Sequence, residues 1–248
     1  MPWSRKCGEL RARSKSVFVP VCAVAGGIGS VYVVRATSGV VLVDTGQPGK
    51  TKALLRGLDA AGVVPSEVKL IVITHGHWDH MGCAADLKRV AGAPVAMHQA
   101  ETERLERSLK VTPPGVTPWG RIFGRVLGSL VMPFVRIPPA TVDIPVSDDG
   151  LSLEPYGVAG QVLHTPGHTP GSLSVLLDTG DAIVGDLAMN GLPLRIGPGL
   201  PIFAEDLPRL RGSIELLLDR GARTIHPGHG APFRSEVLAR ALRELGAA

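Results

Sequence analysis

The stretch Thr74-His75-Gly76-His77-Trp78-Asp79-His80 places three imidazoles and one carboxylate within six consecutive positions. Neutral imidazole with carboxylate is a donor set for zinc, and imidazole also suits iron. Alternate residues of an extended chain point to the same side, so His75, His77 and Asp79 can address one point. Gly76 lets the chain turn, and His80 joins as the segment curls towards a helix. The preceding apolar run, Leu70-Ile71-Val72-Ile73, reads as a buried strand that delivers the cluster.

Three later stretches carry the same residue types. A histidine recurs in Thr165-Pro166-Gly167-His168-Thr169-Pro170-Gly171. An aspartate ends the apolar run Ala182-Ile183-Val184-Gly185-Asp186, and another histidine lies in His226-Pro227-Gly228-His229-Gly230. Together they set candidate metal ligands at strand ends across the chain, where a rigid scaffold presents a site.

This set, in this order, resembles the metallo-β-lactamase superfamily, which includes glyoxalase II and the acyl-homoserine-lactone lactonases. The resemblance runs from about Val17 to Phe233. It implies an α+β fold, a four-layer αββα sandwich of two packed sheets with helices on both outer faces. It implies one metal on His75, His77 and His168, a second on Asp79, His80 and His229, and Asp186 bridging both. The implied cofactors are two zinc ions, with iron or manganese as alternatives. The implied chemistry is hydrolysis: a metal-bridging hydroxide attacks the carbonyl of an ester, lactone or thioester with an apolar portion, and Asp79 orients it as the catalytic residue.

Asp186 separates branches of the family. True metallo-β-lactamases usually place a cysteine, serine or other non-bridging residue there, so the aspartate looks like that of glyoxalase II and the lactonases; β-lactam hydrolysis ranks low, as a weak promiscuous activity at most. Glyoxalase II has a cysteine- and glycine-rich stretch after this aspartate, whereas this chain reads Leu187-Ala188-Met189-Asn190-Gly191. Two other readings compete. One is an oxygenase of the persulfide dioxygenase type, with a single iron on His75, His168 and Asp186. The other is a non-catalytic member that binds metal and ligand without turnover.

The composition fits a folded globular domain. The chain has 248 residues, 44% of them hydrophobic, and a net charge of +4, which supports a sizeable core and argues against disorder. Positive charge gathers early, at Arg5, Lys6, Arg11, Arg13 and Lys15. No stacking aromatics interleave these cations, so residues 1–16 read as a flexible basic segment and not as a nucleic-acid arm. Three cysteines, Cys7, Cys22 and Cys83, lack metal spacing and fit a reducing, cytoplasmic compartment better than a disulfide framework. Cys83 reads as a small core residue. The run from Val17 to Val34 has a faint signal-peptide character, but a strand, a Gly26-Gly27 turn and a second strand account for it better. No run reaches the apolar length of a transmembrane helix.

These elements must position the ligands within one domain, 17–248. Strands are predicted near 17–24, 30–36, 39–43, 69–73, 94–97, 161–164, 172–177, 181–185 and 223–226. Helices are predicted over 49–61, 81–91, 206–219 and 236–245, the last capped by Ser235. Asp44, in Asp44-Thr45-Gly46, is a candidate for hydrogen bonding to the metal-binding loop, and capping the following turn is the simpler role open to it. His98 is expected to be a hydrogen-bonded structural histidine.

The stretch 111–139 departs from the alternation. It carries six prolines, at 113, 114, 118, 133, 138 and 139. Between them Trp119, Ile122, Phe123, Val126, Leu127 and Leu130 fall on one face of a helix, with Arg121 and Arg125 off it. Pro118 suits its start and Pro133 its stop. Such a face predicts an apolar lid over the metals, a helix packed on the core, or a contact with a second copy in a homodimer or with a membrane surface. The partner expected of the whole is a small, partly apolar molecule, without stable membrane insertion.

Overall fold

The computed structural model describes residues 21–25, 28–191 and 193–246. The expected basic segment 1–16, the first residues of the opening strand and the Gly26-Gly27 turn lie outside them. The strands in chain order are β1 (Val21–Ala25), β2 (Ser30–Ala36), β3 (Gly39–Val43), β4 (Val68–Val72), β5 (Val95–His98), β6 (Ile144–Val146) and β7 (Leu151–Ser152). They continue with β8 (Gly160–His164), β9 (Leu173–Leu177), β10 (Asp181–Asn190), β11 (Pro198–Gly199), β12 (Thr224–Gly230) and β13 (Phe233–Arg234). The helices are α1 (Thr51–Ala60), α2 (Trp78–Met81), α3 (Ala84–Ala91), α4 (Thr102–Glu106), α5 (Pro118–Val126), α6 (Leu207–Asp219) and α7 (Glu236–Gly246).

One sheet has the order β1-β2-β3-β4-β5-β6, antiparallel as far as β3 and parallel from there on. The other has the order β13-β12-β10-β9-β8-β7, with β11 on β10. Side-chain alternation sorts each strand between two apolar layers. Val31, Val33, Val40, Leu42 and Ile71 face outwards, where Leu54 and Leu58 of α1 and Leu87 of α3 cover them. Tyr32, Val34, Val41, Val43, Leu70 and Val72 face inwards and meet Val162, Val175, Leu177 and Ile183 of the other sheet. Leu176, Ala182 and Val184 face out on the far side, under Leu210, Ile214 and Leu217 of α6 and Leu238 and Leu242 of α7. Three apolar slabs between four layers make the αββα sandwich that the family resemblance implies.

Several expected elements end differently. The helix expected over 81–91 is broken: α2 ends at Met81 and α3 begins at Ala84. The loop after β3 causes the break. The Gly82 N–H donates to the Gly46 carbonyl at 2.8 Å, and the Cys83 thiol reaches the Gln47 carbonyl at 3.0 Å. Cys83 is buried, as expected of a small core residue. β10 runs on to Asn190 and β12 to Gly230, so Asp186 and His229 lie within strands and not beyond their ends. β6, β7, β11 and β13 are only two or three residues long, too short for their periodicity to register.

The single helix expected over 119–130 stops at Val126. It widens into a π-helical turn, Leu127–Val131, and closes in a 3-10 turn, Met132–Phe134. Pro133 lacks an N–H, and its ring opposes the carbonyl four residues back, so the α-helical ladder cannot continue through it. At the other end the Thr117 hydroxyl accepts the Gly120 N–H at 2.9 Å, a side-chain cap. Gly120 and Gly124 set α5 directly on residues 202–203. A Cβ at Gly120 would lie 2.2 Å from the Ile202 carbonyl oxygen, and one at Gly124 3.0 Å from the Phe203 ring.

Candidate metal centre

The 74–80 loop follows β4 and is held from two sides. The Asp44 backbone is left-handed, at φ +64°, a conformation that aspartate tolerates better than most residues. Its carboxylate Oδ1 accepts the Thr74 N–H at 2.7 Å, and its Oδ2 lies 2.8 Å from His80 Nδ1. Asp44 therefore does hydrogen-bond to the loop. On the other side Glu101, 1% exposed, accepts the Gly76 N–H at 2.6 Å and the Gly171 N–H at 2.9 Å, one on each oxygen. It ties the 74–80 loop to the His168 loop between β8 and β9. Nothing in the sequence marks Glu101, because its partners are backbone groups of glycines. Those glycines have a reason: a Cβ at Gly171 would lie 2.8 Å from Glu101 Cγ, and one at Gly76 2.5 Å from Arg104 Cδ.

Asp186 reaches the same region from the middle of β10. The strand's pairing with β12 shifts register at Gly185, whose φ is +50°. A bulge of this kind re-aims the following side chain. A Cβ at Gly185 would lie 2.7 Å from Thr74 Oγ1, so glycine is also needed there to let β10 approach the loop.

All seven residues singled out in the sequence come together. The donor atoms of His75, His77 and His168 lie within 4.8 Å of one another, as do those of Asp79, His80 and His229. Asp186 joins them: its Oδ1 is 3.3 Å from His80 Nε2, and its Oδ2 is 3.6 Å from His168 Nε2 and 3.4 Å from His229 Nε2. Asp79 Oδ2 lies 3.4 Å from His229 Nε2. These are ion-pair distances. Yet buried His75 Nε2, His77 Nε2, His80 Nε2 and Asp186 Oδ1 have no hydrogen-bond partner. So many buried donor atoms without partners are costly unless something else binds them.

The tautomers fit a cation. His80, His168 and His229 each turn Nδ1 to a protein oxygen: the Asp44 carboxylate, the Phe203 carbonyl at 2.9 Å and the Ile28 carbonyl at 3.2 Å. A ring that donates through Nδ1 presents the Nε2 lone pair to the centre, the usual arrangement of a metal-ligating histidine. Burial first, then the neighbouring imidazoles, holds the pKa of His75 and His77 well below the ordinary imidazole value, and burial lowers that of His168 as well. These rings stay neutral and able to ligate. Burial would also lower His80 and His229, but Asp186, with Asp44 at His80 and Asp79 at His229, overrides it. His80 is held well above the ordinary value, and His229 is raised to about 10. Burial would raise Asp79 and Asp186, but His229 and His80 outweigh it and hold both low. Protons on His80 and His229 thus balance two carboxylates, a charge that a divalent ion would take over.

His98 behaves as the sequence suggests. It is buried, with Nε2 3.1 Å from Asp148 Oδ1. Its ring stacks on His164 at 4.1 Å with 14° between planes. Lone pairs in nearly parallel rings do not converge on one ion, so this cluster is a stacked, hydrogen-bonded pair.

Above the centre lies a cavity of about 240 Å³. His77, Asp79, His168, Asp186 and His229 line it together with Ile28, Val111, Phe123, Leu127, Met189, Leu194 and Phe203. The 111–139 stretch reaches this cavity. Val116 N–H donates to the Ile202 carbonyl and the Trp119 indole to the Pro193 carbonyl, at 2.9 and 3.0 Å, which places Phe123 and Leu127 on the cavity wall.

The metallo-beta-lactamase superfamily model matches residues 24–229, which include every one of these seven positions. The chain belongs to the metallo-β-lactamase superfamily. It is 28% identical to a Methanocaldococcus jannaschii protein named Probable metallo-hydrolase MJ0888 over 198 residues, 77% of this chain and 82% of that one. Uncharacterized protein Rv2581c of Mycobacterium tuberculosis is 30% identical over 207 residues, 79% of this chain and 82% of its own. Among solved structures, TTHA1623 in a di-iron-bound form is 25% identical with a TM-score of 0.60, covering 91% of this chain and 98% of that one. The BLEG-1 B3 metallo-beta-lactamase has a TM-score of 0.66 over 88% of this chain and 95% of its own; at 20% identity that likeness concerns the fold alone.

Asp44→Asn is expected to weaken the Asp79–His80–His229 triad selectively. The amide would turn an NH2 towards His80 Nδ1, which would then accept and move its proton to Nε2, the atom facing the centre. Affinity for an ion on that triad should fall by about 10- to 100-fold. Competition with a chelator, read ion by ion, checks this.

Proposed function

We propose that this chain is a dinuclear metallo-hydrolase that cleaves an ester, lactone or thioester carrying an apolar portion. The reading rests on one observation: two donor triads converge on a single aspartate beside an apolar cavity. A pair of divalent ions held by the two triads and Asp186 would supply an acidified water as nucleophile and would polarise a substrate carbonyl. The chain's own residues do the rest. Asp186 spans the two triads and fixes their separation. Asp79, which lines the cavity, accepts a hydrogen bond from the attacking water and so orients it. Phe123, Leu127, Met189 and Phe203 hold the apolar part of the substrate, with the 111–139 stretch as cover and wall. No serine or cysteine is among the described residues lining the cavity, so none of them rivals the water as nucleophile through a side chain of those types.

Zinc is the ion we assign, on the imidazole and carboxylate donors. The di-iron form of TTHA1623 makes iron the alternative. The second triad speaks for two ions over the single iron of an oxygenase, since Asp79, His80 and His229 make a donor set of their own. The deciding experiment is metal content per chain on protein purified without added metal or chelator, followed by acyl lactones, thioesters and aryl esters. Two ions with metal-dependent turnover support the proposal. One iron with oxygen uptake on a thiol persulfide would replace it, and no metal-dependent turnover across the panel would sink it.

Phe123→Ala separates binding of the apolar portion from the chemistry. Its kcat/KM for a long-chain acyl substrate should fall by about tenfold, while that for the acetyl analogue stays within about twofold. Rates on a chain-length series check it.

A further inference from the structure

α5 and the turns that continue it expose an apolar stripe with no interior left to fill. At about 100° per residue, Gly120 and Gly124 take the inward side, against residues 202–203. Trp119, Ile122, Val126 and Leu130 are 48%, 56%, 49% and 67% exposed, and Phe134 beyond them is 81% exposed. These side chains lie next to Phe123 and Leu127 of the cavity wall, so one apolar surface runs from the outside of the helix into the cavity.

The charge around this stripe is one-sided. From 107 to 142 the chain holds Arg107, Lys110, Arg121, Arg125 and Arg136, and no aspartate or glutamate. Arg121 and Arg125 lie side by side on the flank of the exposed stripe. Among the described residues, no ion pair involves Arg121, Arg125 or Arg136. A second copy seated on this face would bring the same cations against them. An anionic headgroup layer would neutralise them while its acyl region takes up the apolar stripe, as for helices that lie in a membrane interface. A tryptophan at such a boundary fits as well. With nine residues, α5 is far short of a membrane crossing, and no helix among the described residues is long and apolar enough for one.

We propose that α5 with its continuation to Phe134 docks in the plane of an anionic lipid bilayer, which places the cavity wall against the membrane surface. Binding at this face does not depend on the reaction proposed above, and the test needs no turnover.

The test is flotation of the full-length protein with vesicles of phosphatidylcholine alone or with about 30% phosphatidylglycerol. The expected result is capture by the anionic vesicles, weaker by about tenfold on the neutral ones and in high salt. Ile122→Glu with Val126→Glu, and separately Arg121→Glu with Arg125→Glu, should each reduce capture by at least about tenfold. Leu130→Ser with Phe134→Ser is a milder pair at positions too exposed to unfold the protein, and it should reduce capture as well. The proposal is overturned if anionic vesicles do not capture the protein, or if none of these variants changes capture. It also fails if glutamine at Arg5, Lys6, Arg11, Arg13 and Lys15 abolishes capture while the α5 variants retain it. A wild-type dimer in light scattering that Val126→Glu dissociates would give the face to a second copy instead.

Discussion

Exchanging Asp186 for alanine is expected to leave one tightly held ion per chain in place of the two proposed above. The kcat/KM of any hydrolysis should fall by at least about a thousandfold, about 4 kcal/mol of transition-state stabilisation. The size follows from the carboxylate's place. Its Oδ1 addresses His80 and its Oδ2 addresses both His168 and His229, so this one side chain meets members of both triads. The substitution also removes the negative charge that keeps His80 and His229 balanced. Losing one partner of a buried pair costs about 3–5 kcal/mol, so the metal-free variant should unfold at clearly lower denaturant than the metal-free wild type. Asp186→Asn keeps the shape and one carbonyl oxygen and should fall between the two. Metal analysis, steady-state rates and urea unfolding read the three effects separately. A fully active alanine variant holding two ions would remove Asp186 from the bridging position proposed for it.

The seven converging residues were legible in the sequence because their types are dense, rare and chemically specific. Six are histidine or aspartate in short glycine-rich stretches, and the seventh, Asp186, interrupts an apolar strand where a carboxylate would otherwise be unfavourable. The four layers were legible only through the family resemblance, since the residue pattern alone gives a mixed α and β domain. The longer strands do alternate between two slabs, and each of α1, α6 and α7 carries its apolar residues at helical spacing. What the sequence hides is whatever depends on backbone partners. The carbonyls of Ile28 and Phe203 fix the tautomers of His229 and His168, and any residue type could supply them. The apolar face of the helix at 119–130 was legible, but not what it meets. Its apolar spacing is real, but Gly120 and Gly124 choose the inward side, so much of the apolar face stays exposed. Periodicity finds a stripe; it does not say what covers it.

Glu101 is the strongest case of a residue without a sequence signal, and replacing it by glutamine should show its weight. Glutamine can accept only one of the two N–H groups now bound, at Gly76 and Gly171. Its own NH2 would face the other, leaving two donors opposed in a buried site. Such a defect costs about 1–3 kcal/mol for a neutral group, and more where a charge is lost. Arg104 would also lose its ion pair at 3.5 Å. It links Glu101 to Glu205 at 3.3 Å, whose N–H donates to the Gly167 and His168 carbonyls. Both loops that Glu101 joins feed the His75–His77–His168 triad, whereas His80 is also held directly by Asp44. Glu101→Gln should therefore weaken one ion by about tenfold or more and leave the other near its wild-type affinity. Asp44→Asn should weaken the opposite ion. Chelator competition on both variants, well below their unfolding temperatures, tells this from general softening. If Glu101→Gln loosens both ions equally, the carboxylate is a structural brace, and the separate anchoring of the two triads fails with it.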